Sequence, residues 1–216
     1  MSISENLKKI KKSIPEKVLL VAVSKTKPVN DLKIAYRSGH LDFGENKIQE
    51  LILKHETLPK NIRWHMIGHL QSNKVKYIAS FVYLIHSVDS LKLIKEINKQ
   101  GEKINRVINI LLQVDISNDS TKYGFSLNEI NKLLSDNIIN NFNFVSLNGF
   151  MGMASFTSNF NIIKNQFKSL SNLFEKHKSN HSLTMLSMGM SGDYKIAIKN
   201  NSNIIRLGSN IFGKRN

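Results

Sequence analysis

The stretch EKVLLVAVSKTKPV (residues 16–29) contains an apolar run, Val18 to Val23, that predicts a buried β-strand. Four polar residues (24–27, Ser-Lys-Thr-Lys) follow the run directly, and Pro28 ends the strand because proline cannot donate to a sheet ladder. A lysine at the end of a strand is usually a solvated residue. An amine in that position can also serve as a nucleophile, and the rest of the chain decides between the two interpretations.

Seven further strand-like runs follow the first one (18–24) and alternate with segments of helical periodicity. They cover residues 41–44, 62–68, 81–88, 107–116, 146–153, 183–190 and 203–208. Apolar strands that alternate with helices are typical of an α/β protein with a parallel sheet covered by helices. Eight such units close a (β/α)8 TIM barrel, and we expect one domain over residues 1–216. An open doubly wound sheet is the alternative, but no G-x-G-x-x-G turn follows the first strand.

Helices are predicted between the strands and also before the first one. An extra N-terminal amphipathic helix is indicated by apolar residues at steps of four, three and four, namely Ile3, Leu7, Ile10 and Ile14. Ser126 and Glu129 have the spacing of a capping box at the start of another helix. Apolar residues recur at helical spacing in five more segments: Leu32–Tyr36, Ile48–His55, Val75–Ala79, Leu91–Ile97 and Phe160–Phe174.

Composition limits the class of protein. The 216 residues are 41% hydrophobic and 22% charged, which is enough to bury a core. The chain contains no cysteine, so disulfides and thiolate-ligated metals are excluded. No apolar run reaches the roughly 20 residues of a membrane helix, and the N-terminus lacks the apolar core of a secretory signal. We therefore expect a cytoplasmic protein that does not contact a membrane.

The formal net charge of +15 raises the alternative of a basic nucleic-acid-binding protein. The lysines are spread along the whole sequence, however, and do not form the blocks of like charge that are typical of a basic tail. Nucleic acid is therefore not the expected partner.

The polar residues fall at the ends of the predicted strands, where a barrel carries its function. Lys25 ends the first strand, and Asn46 ends the second. Small residues and hydroxyls follow strand seven (187–192) and strand eight (206–209), and turns of this kind bind phosphate. A lysine amine beside a phosphate site suggests a Schiff base to a phosphorylated aldehyde, which is how pyridoxal 5′-phosphate (PLP) attaches to proteins.

The histidines do not indicate a metal. His65 and His69 lie four residues apart, but in a strand and its following turn this spacing does not return both side chains to one face. We expect no metal site there. His177 and His181 are interpreted as surface residues.

Six motifs follow one another along the chain: AVSKTKP (22–28), FGEN (43–46), WHMIGHLQSNK (64–74), STKYGF (120–125), LSMGMSGD (186–193) and IIRLGSNIFGKR (204–215). In their order and spacing they resemble the motifs of one known family, the YggS/PROSC family of pyridoxal phosphate homeostasis proteins (PLPBP). The resemblance spans nearly the whole chain. It implies a fold-type III PLP barrel, similar to the N-terminal domain of alanine racemase without that enzyme's second domain.

The resemblance also implies a role for each matching site residue. PLP is expected as a Schiff base on Lys25, with Asn46 near the ring hydroxyl and Arg206 facing the pyridine nitrogen. The other implied cofactor-binding residues lie after strands seven and eight: Ser187, Met190, Ser191, Gly208 and Ser209. No contact is assigned to His65. Gly192 and Lys195 depart from the family pattern, and both lie beyond the cofactor turn.

The function implied by the resemblance is to hold PLP and to buffer or deliver it, without catalytic turnover. PLP-dependent apoenzymes are candidate partners, and the chain is expected to be a monomer or a weak dimer. A PLP-dependent amino-acid racemase or lyase is the alternative, with Tyr123 as the remaining candidate for a second acid/base.

Overall fold

The computed structural model describes residues 2–117 and 123–213. Eight parallel strands form a closed barrel in sequence order, which confirms the (β/α)8 prediction. The strands are β1 (Leu19–Val23), β2 (Asp42–Glu45), β3 (Arg63–Met66), β4 (Leu84–Val88), β5 (Ile108–Val114), β6 (Val145–Gly152), β7 (Met185–Ser187) and β8 (Ile204–Leu207). β1 pairs with β8 from Leu19↔Ile204 to Ala22↔Leu207, and this pairing excludes the open sheet.

In the part of the chain that the structure describes, eight α-helices surround or cap the barrel. They are α1 (Ile3–Ser13), α2 (Val29–Arg37), α3 (Ile48–Thr57), α4 (Leu91–Lys103), α5 (Leu127–Ser135), α6 (Phe160–Lys178), α7 (Tyr194–Lys199) and α8 (Ser209–Phe212). Helix α1 is the extra N-terminal helix predicted from the sequence. It begins with a capping box of Ser2 and Glu5, and α5 begins with the expected one of Ser126 and Glu129. Within the described ranges, none of the helices combines the length and the apolar character needed to cross a bilayer.

One predicted helix has a different form. The connection between β3 and β4 is a 3-10 helix over Ser72–Tyr77 and not an α-helix. Val75 and Ile78 are both buried. A spacing of three residues places two side chains on one face in either helix type, so the apolar pattern could not distinguish the two.

His177 is buried, so the interpretation of this residue as a surface histidine is wrong. It lies three residues after Phe174 on the inner face of α6, and its Nε2 contacts Asn131 Oδ1 on α5 at 2.9 Å. His177 therefore continues the apolar stripe of α6, and Asn131 on the neighbouring helix provides its hydrogen-bond partner.

The apolar core has two parts. The larger part lies between the outer faces of the strands and the helices. The smaller part fills the interior of the barrel and consists of Val21, Leu84, Leu111, Met151 and Ile204. Side chains alternate between the two faces of a strand, so a residue two positions after one of these core residues on the same strand also points into the barrel. Several of the residues at such positions are polar.

Two phenylalanines of α6 provide a test of this packing. Phe167 is fully buried, whereas Phe160 on the same helix is 65% exposed. We expect Phe167→Ala to lower the free energy of unfolding by about 3–5 kcal/mol, because it leaves a cavity in the core. Phe160→Ala should change it by less than about 0.5 kcal/mol. Urea denaturation measures both, and equal losses in the two variants would contradict the assigned orientation of α6.

Candidate functional site

A cavity of about 420 Å³ opens at the C-terminal ends of the strands. Its volume is in the range of small-molecule sites. Seven of the eight residues predicted to bind a cofactor line it: Lys25, Asn46, Met190, Ser191, Arg206, Gly208 and Ser209. The eighth, Ser187, is fully buried and contacts Arg206. The structure thus brings the predicted residues together, and their role in binding stays a prediction.

Lys25 is half-buried and occupies the second position of a turn, Ser24–Lys27. The N–H of Lys27 donates to the carbonyl of Ser24 at 3.0 Å and closes the turn. Thr26 has a φ of +63°, a left-handed conformation that β-branched residues rarely adopt and that costs about 1–3 kcal/mol. Its N–H donates to the Glu50 carboxylate at 2.7 Å, a charge-assisted hydrogen bond that offsets part of this cost.

The turn after β1 is tied to the turn after β8. Lys27 Nζ donates to the carbonyl of Phe212 at 3.1 Å. A Cβ built on Gly208 would lie 3.2 Å from the carbonyl oxygen of Val23, so the backbones of the two strand ends are in close contact. Lys25 and the segment around Ser209 therefore share one side of the cavity.

The turns after β7 and β8 line the cavity and are held together by hydrogen bonds. The N–H of Gly208 donates to Ser191 Oγ at 3.4 Å, and the N–H of Met190 donates to Asp193 Oδ1 at 2.6 Å. Gly189 has a φ of +96°, and a Cβ there would lie 2.8 Å from Tyr194 Cα. Only glycine fits this position, which turns the chain from β7 toward the cavity.

Asn46 enters the cavity from the end of β2. The chain after β3 passes directly beside it, because a Cβ on Gly68 would lie 2.4 Å from the carbonyl oxygen of Asn46. The glycine is therefore required by close backbone contact.

Of the two departures from the family pattern, Gly192 lines the cavity, so the expectation that it lies beyond the cofactor turn is wrong, whereas Lys195 is not among the lining residues. A Cβ on Gly192 would meet no atom within 4 Å, and Lys195 is exposed on α7. The position of Gly192 in the cavity lining therefore has room for a side chain.

Arg206 lies at the floor of the cavity and is 4% exposed. Its guanidinium donates to the carbonyl of Ser187 at 2.9 Å, to Ser187 Oγ at 2.5 Å and to the carbonyl of Gly152 at 3.1 Å. Burial lowers the pKa of Arg206 to about 10, and Asp193 opposes this shift. The group is therefore a cation at neutral pH, held mainly by neutral acceptors.

A chain of hydrogen bonds, here called the interior relay, runs from Arg206 through the centre of the barrel. Ser187 Oγ contacts His86 Nδ1 at 3.0 Å, His86 Nε2 contacts His65 Nδ1 at 3.0 Å, and His65 Nε2 contacts Asp42 Oδ1 at 3.1 Å. At its far end Arg63, which is partly exposed, donates to both oxygens of Asp42 at 2.7 and 2.5 Å. The interior relay thus connects the cavity floor with the opposite end of the barrel.

The direction of every hydrogen bond in the interior relay follows from the Asp42 carboxylate, which can only accept. His65 therefore donates to it from Nε2 and, as a neutral ring, accepts at Nδ1 from His86 Nε2. His86 Nδ1 then accepts from the Ser187 hydroxyl, whose oxygen accepts from Arg206. Burial lowers the pKa of His65 and takes that of His86 well below its ordinary value, so both rings are neutral at neutral pH. Although burial alone would raise it, hydrogen bonds from His65 and Arg63 lower the pKa of Asp42.

Sequence reasoning missed His86 and Asp42 and left His65 without a contact. A signal was available, because His86 is two residues after Leu84 in the apolar run of β4 and therefore shares its inward face. His69 faces a different environment: it stacks on Tyr123 with ring centroids 3.9 Å apart and contacts Asp89 at 2.9 Å. Within residues 2–117 and 123–213, no group of three candidate metal ligands occurs.

The neutral histidines of the interior relay make stability depend on pH. His65 and His86 have folded-state pKa values below the ordinary 6.5, so below about pH 6.5 the unfolded chain binds protons that the folded chain does not. The free energy of unfolding should therefore fall with acidification, by up to about 1.4 kcal/mol per pH unit for each histidine. Denaturant titrations from about pH 7 to about pH 5 measure this, with NMR of the ring protons as a direct check. Constant stability over that window, or titration of both rings near pH 6.5, would contradict the assignment.

Comparison with known proteins gives the family. A family model for the N-terminal domain of alanine racemase matches residues 1–216. The pyridoxal phosphate homeostasis protein of Schizosaccharomyces pombe is 38% identical over 202 residues, which cover 92% of this chain and 84% of that protein.

Solved structures agree with this match. PipY of Synechococcus elongatus, solved without PLP and with PLP bound, is 30% identical with TM-scores of 0.92 and 0.90, covering 98% of this chain and 100% of PipY. Alanine racemase of Clostridium difficile is 15% identical with a TM-score of 0.82, and the match covers 99% of this chain but 57% of the racemase. The racemase shares the fold alone. On the full-length match and the 38% identity, the chain belongs to the pyridoxal phosphate homeostasis protein family, whose barrel is that of the alanine racemase N-terminal domain.

Proposed function

We propose that this protein binds PLP in the cavity at the C-terminal end of the barrel and acts in PLP (vitamin B6) homeostasis. It holds PLP as a Schiff base on Lys25 and buffers it or delivers it to other proteins. The observation that carries the proposal is that Lys25 and the turn at Gly208 and Ser209 line the same cavity. PLP carries an aldehyde and a phosphate. A site for it therefore needs an amine that reacts with the aldehyde and hydrogen-bond donors for the phosphate, no farther apart than the length of the molecule.

The donors around the cavity fit PLP. Ser191 and Ser209 offer hydroxyls to the cavity, and the Lys25 amine and the Asn46 amide line it as well. The rest of the lining includes apolar residues, among them Val23, Ile67 and Met153. A small molecule with a flat aromatic ring and polar substituents matches such a lining.

Covalent attachment at Lys25 is a condensation. The neutral amine of Lys25 attacks the aldehyde carbon, a C=N bond forms, and one water leaves with the aldehyde oxygen and two amine protons. PLP bound in this way supplies an electron-withdrawing ring. Arg206 tunes that ring from the cavity floor: as a permanent donor it can hydrogen-bond the unprotonated pyridine nitrogen and cannot accept a proton from it.

A carrier is favoured over an amino-acid racemase or lyase by the residues around the cavity. Among the described residues that line it, the titratable side chains are Lys25, Lys27, Asp193 and Arg206. Asp193 already accepts the Met190 N–H, and burial raises its pKa. Tyr123, the candidate for a second acid/base, stacks on His69 and does not line the cavity.

The setting that we propose is the cytoplasm, with PLP-dependent apoenzymes as recipients and with the protein as a monomer or a weak dimer. The net charge of +15 has no assigned role in this proposal. Steep salt-dependent binding to DNA or RNA would favour the alternative of a nucleic-acid-binding protein.

Borohydride reduction followed by mass spectrometry tests the attachment. Purified protein incubated with PLP and reduced should carry one pyridoxyl group, on Lys25. Lys25→Ala should lose the group, because the only proposed nucleophile is removed, whereas Lys33→Ala, a change at an exposed lysine of α2, should keep it. An adduct spread over several surface lysines in the wild-type protein would overturn the proposal.

Incubation with single L-amino acids separates a carrier from an enzyme. The PLP-loaded protein should yield at most one equivalent of changed amino acid per chain, because the cavity offers no assigned second acid/base. Chiral chromatography measures the D-enantiomer over time. Sustained racemisation that requires Lys25 would establish the enzyme alternative in place of the carrier.

A further inference from the structure

Lys54 is buried on α3, below the turn that carries Lys25. Its ammonium donates three hydrogen bonds: to the carbonyl of Ser24 at 2.8 Å, to Glu45 Oε1 at 2.7 Å and to Glu50 Oε2 at 3.2 Å. An ammonium has three N–H donors, so all of them are used within this cluster.

The same cluster holds both chain neighbours of Lys25. Ser24 donates from Oγ to Glu45 Oε1 at 2.6 Å, and the N–H of Thr26 donates to Glu50 Oε2 at 2.7 Å. The carbonyl of Ser24 also accepts the N–H that closes the turn, so one oxygen receives both the turn hydrogen bond and the Lys54 ammonium. The backbone on each side of Lys25 is thereby fixed from the α3 side.

Stability alone does not account for a buried ionic cluster of this kind. A buried ion pair is often no more stable than apolar residues of the same volume, because both charges lose their hydration. One oxygen of this cluster, Glu45 Oε2, is buried without a hydrogen-bond partner, and burial raises the pKa of Glu45. The cluster also maintains Thr26 in a left-handed conformation that the residue would otherwise avoid. What the cluster does provide is a defined backbone at the Lys25 turn.

We propose that Lys54 is a positioning residue for Lys25. By fixing Ser24 directly and Thr26 through Glu50, its ammonium sets the direction in which the Lys25 side chain leaves the backbone and enters the cavity. This inference rests on the proposed function, since it assigns a purpose to the geometry only where the Lys25 amine forms a bond with PLP.

Two ligands separate positioning from general damage. PLP can bond to Lys25, whereas pyridoxine 5′-phosphate has an alcohol in place of the aldehyde and cannot. Lys54→Met removes the ammonium and retains most of the side-chain volume. We expect it to weaken PLP binding by about tenfold or more, while the affinity for pyridoxine 5′-phosphate changes by less than about twofold. Equilibrium dialysis at a temperature well below the melting transition of each variant measures both affinities.

Lys95→Met, a change at an exposed lysine of α4, is the control for charge and should match the wild type with both ligands. Glu50→Ala is the second variant, because Glu50 is only partly buried and its removal frees the Thr26 N–H while the Lys54–Glu45 pair remains. Glu50→Ala should also weaken the binding of PLP without changing that of pyridoxine 5′-phosphate, but by a smaller factor than Lys54→Met does. If Lys54→Met does not fold, the result for Glu50→Ala decides.

The outcomes distinguish this inference from the function on which it rests. A wild-type protein that forms no adduct at Lys25 would overturn both. A wild-type adduct together with an unchanged ratio of the two affinities in the folded variants would overturn only the role of Lys54. An equal loss for both ligands would show that the cluster supports the whole cavity, and would likewise overturn the positioning role.

Discussion

The parallel pairing of β1 with β8 is the contact on which the candidate site depends. It closes the barrel over Leu19↔Ile204 to Ala22↔Leu207. Parallel strands present their C-terminal ends on the same side, so Lys25, just beyond β1, comes out beside Ser209, just beyond β8. In an open sheet with the same strand order these residues would lie at opposite edges, and no small molecule could contact both. Lys25 and the turn that carries Ser209 become neighbours only because the barrel is closed.

The interior of the barrel is divided between apolar packing and hydrogen bonding. Val21, Leu111 and Met151 fill part of it, and the interior relay occupies the rest. Buried polar groups cost little when each donor meets an acceptor, and in the interior relay they do. Arg206 benefits from this arrangement, because its side chain is held in place at the cavity floor by carbonyls and by Ser187. Because these acceptors are neutral, they do not cancel the positive charge of Arg206. The guanidinium can therefore still attract a hydrogen-bond acceptor of a ligand in the cavity.

The fold could be predicted from the sequence because buried parallel strands are apolar and the helices that cover them carry regular stripes. One strand is shorter than its apolar run: the run 183–190 forms β7 only over Met185–Ser187, and Met188 is buried although the strand has ended before it. In the candidate site, the sequence could predict that the residues at strand ends lie together, because position along a strand determines the end of the barrel, and their role in binding stays a prediction. The buried contact between Lys54 and Glu45 could not be predicted, since it depends on how α3 packs against the first two strands, and no local sequence pattern carries that information.

The single direction of the interior relay ties its members to one another. Each histidine uses one nitrogen as a donor and the other as an acceptor, and reversing either ring alone would bring two donors or two acceptors together between His65 and His86. The positions of the protons on both histidine rings and on Ser187 therefore depend on one another, and they are consistent with Asp42 as the acceptor at one end and Arg206 as the donor at the other. Substitutions at these positions are therefore coupled: an apolar residue in place of His86 would leave the Ser187 hydroxyl proton and His65 Nδ1 without the partner that each has in the barrel interior.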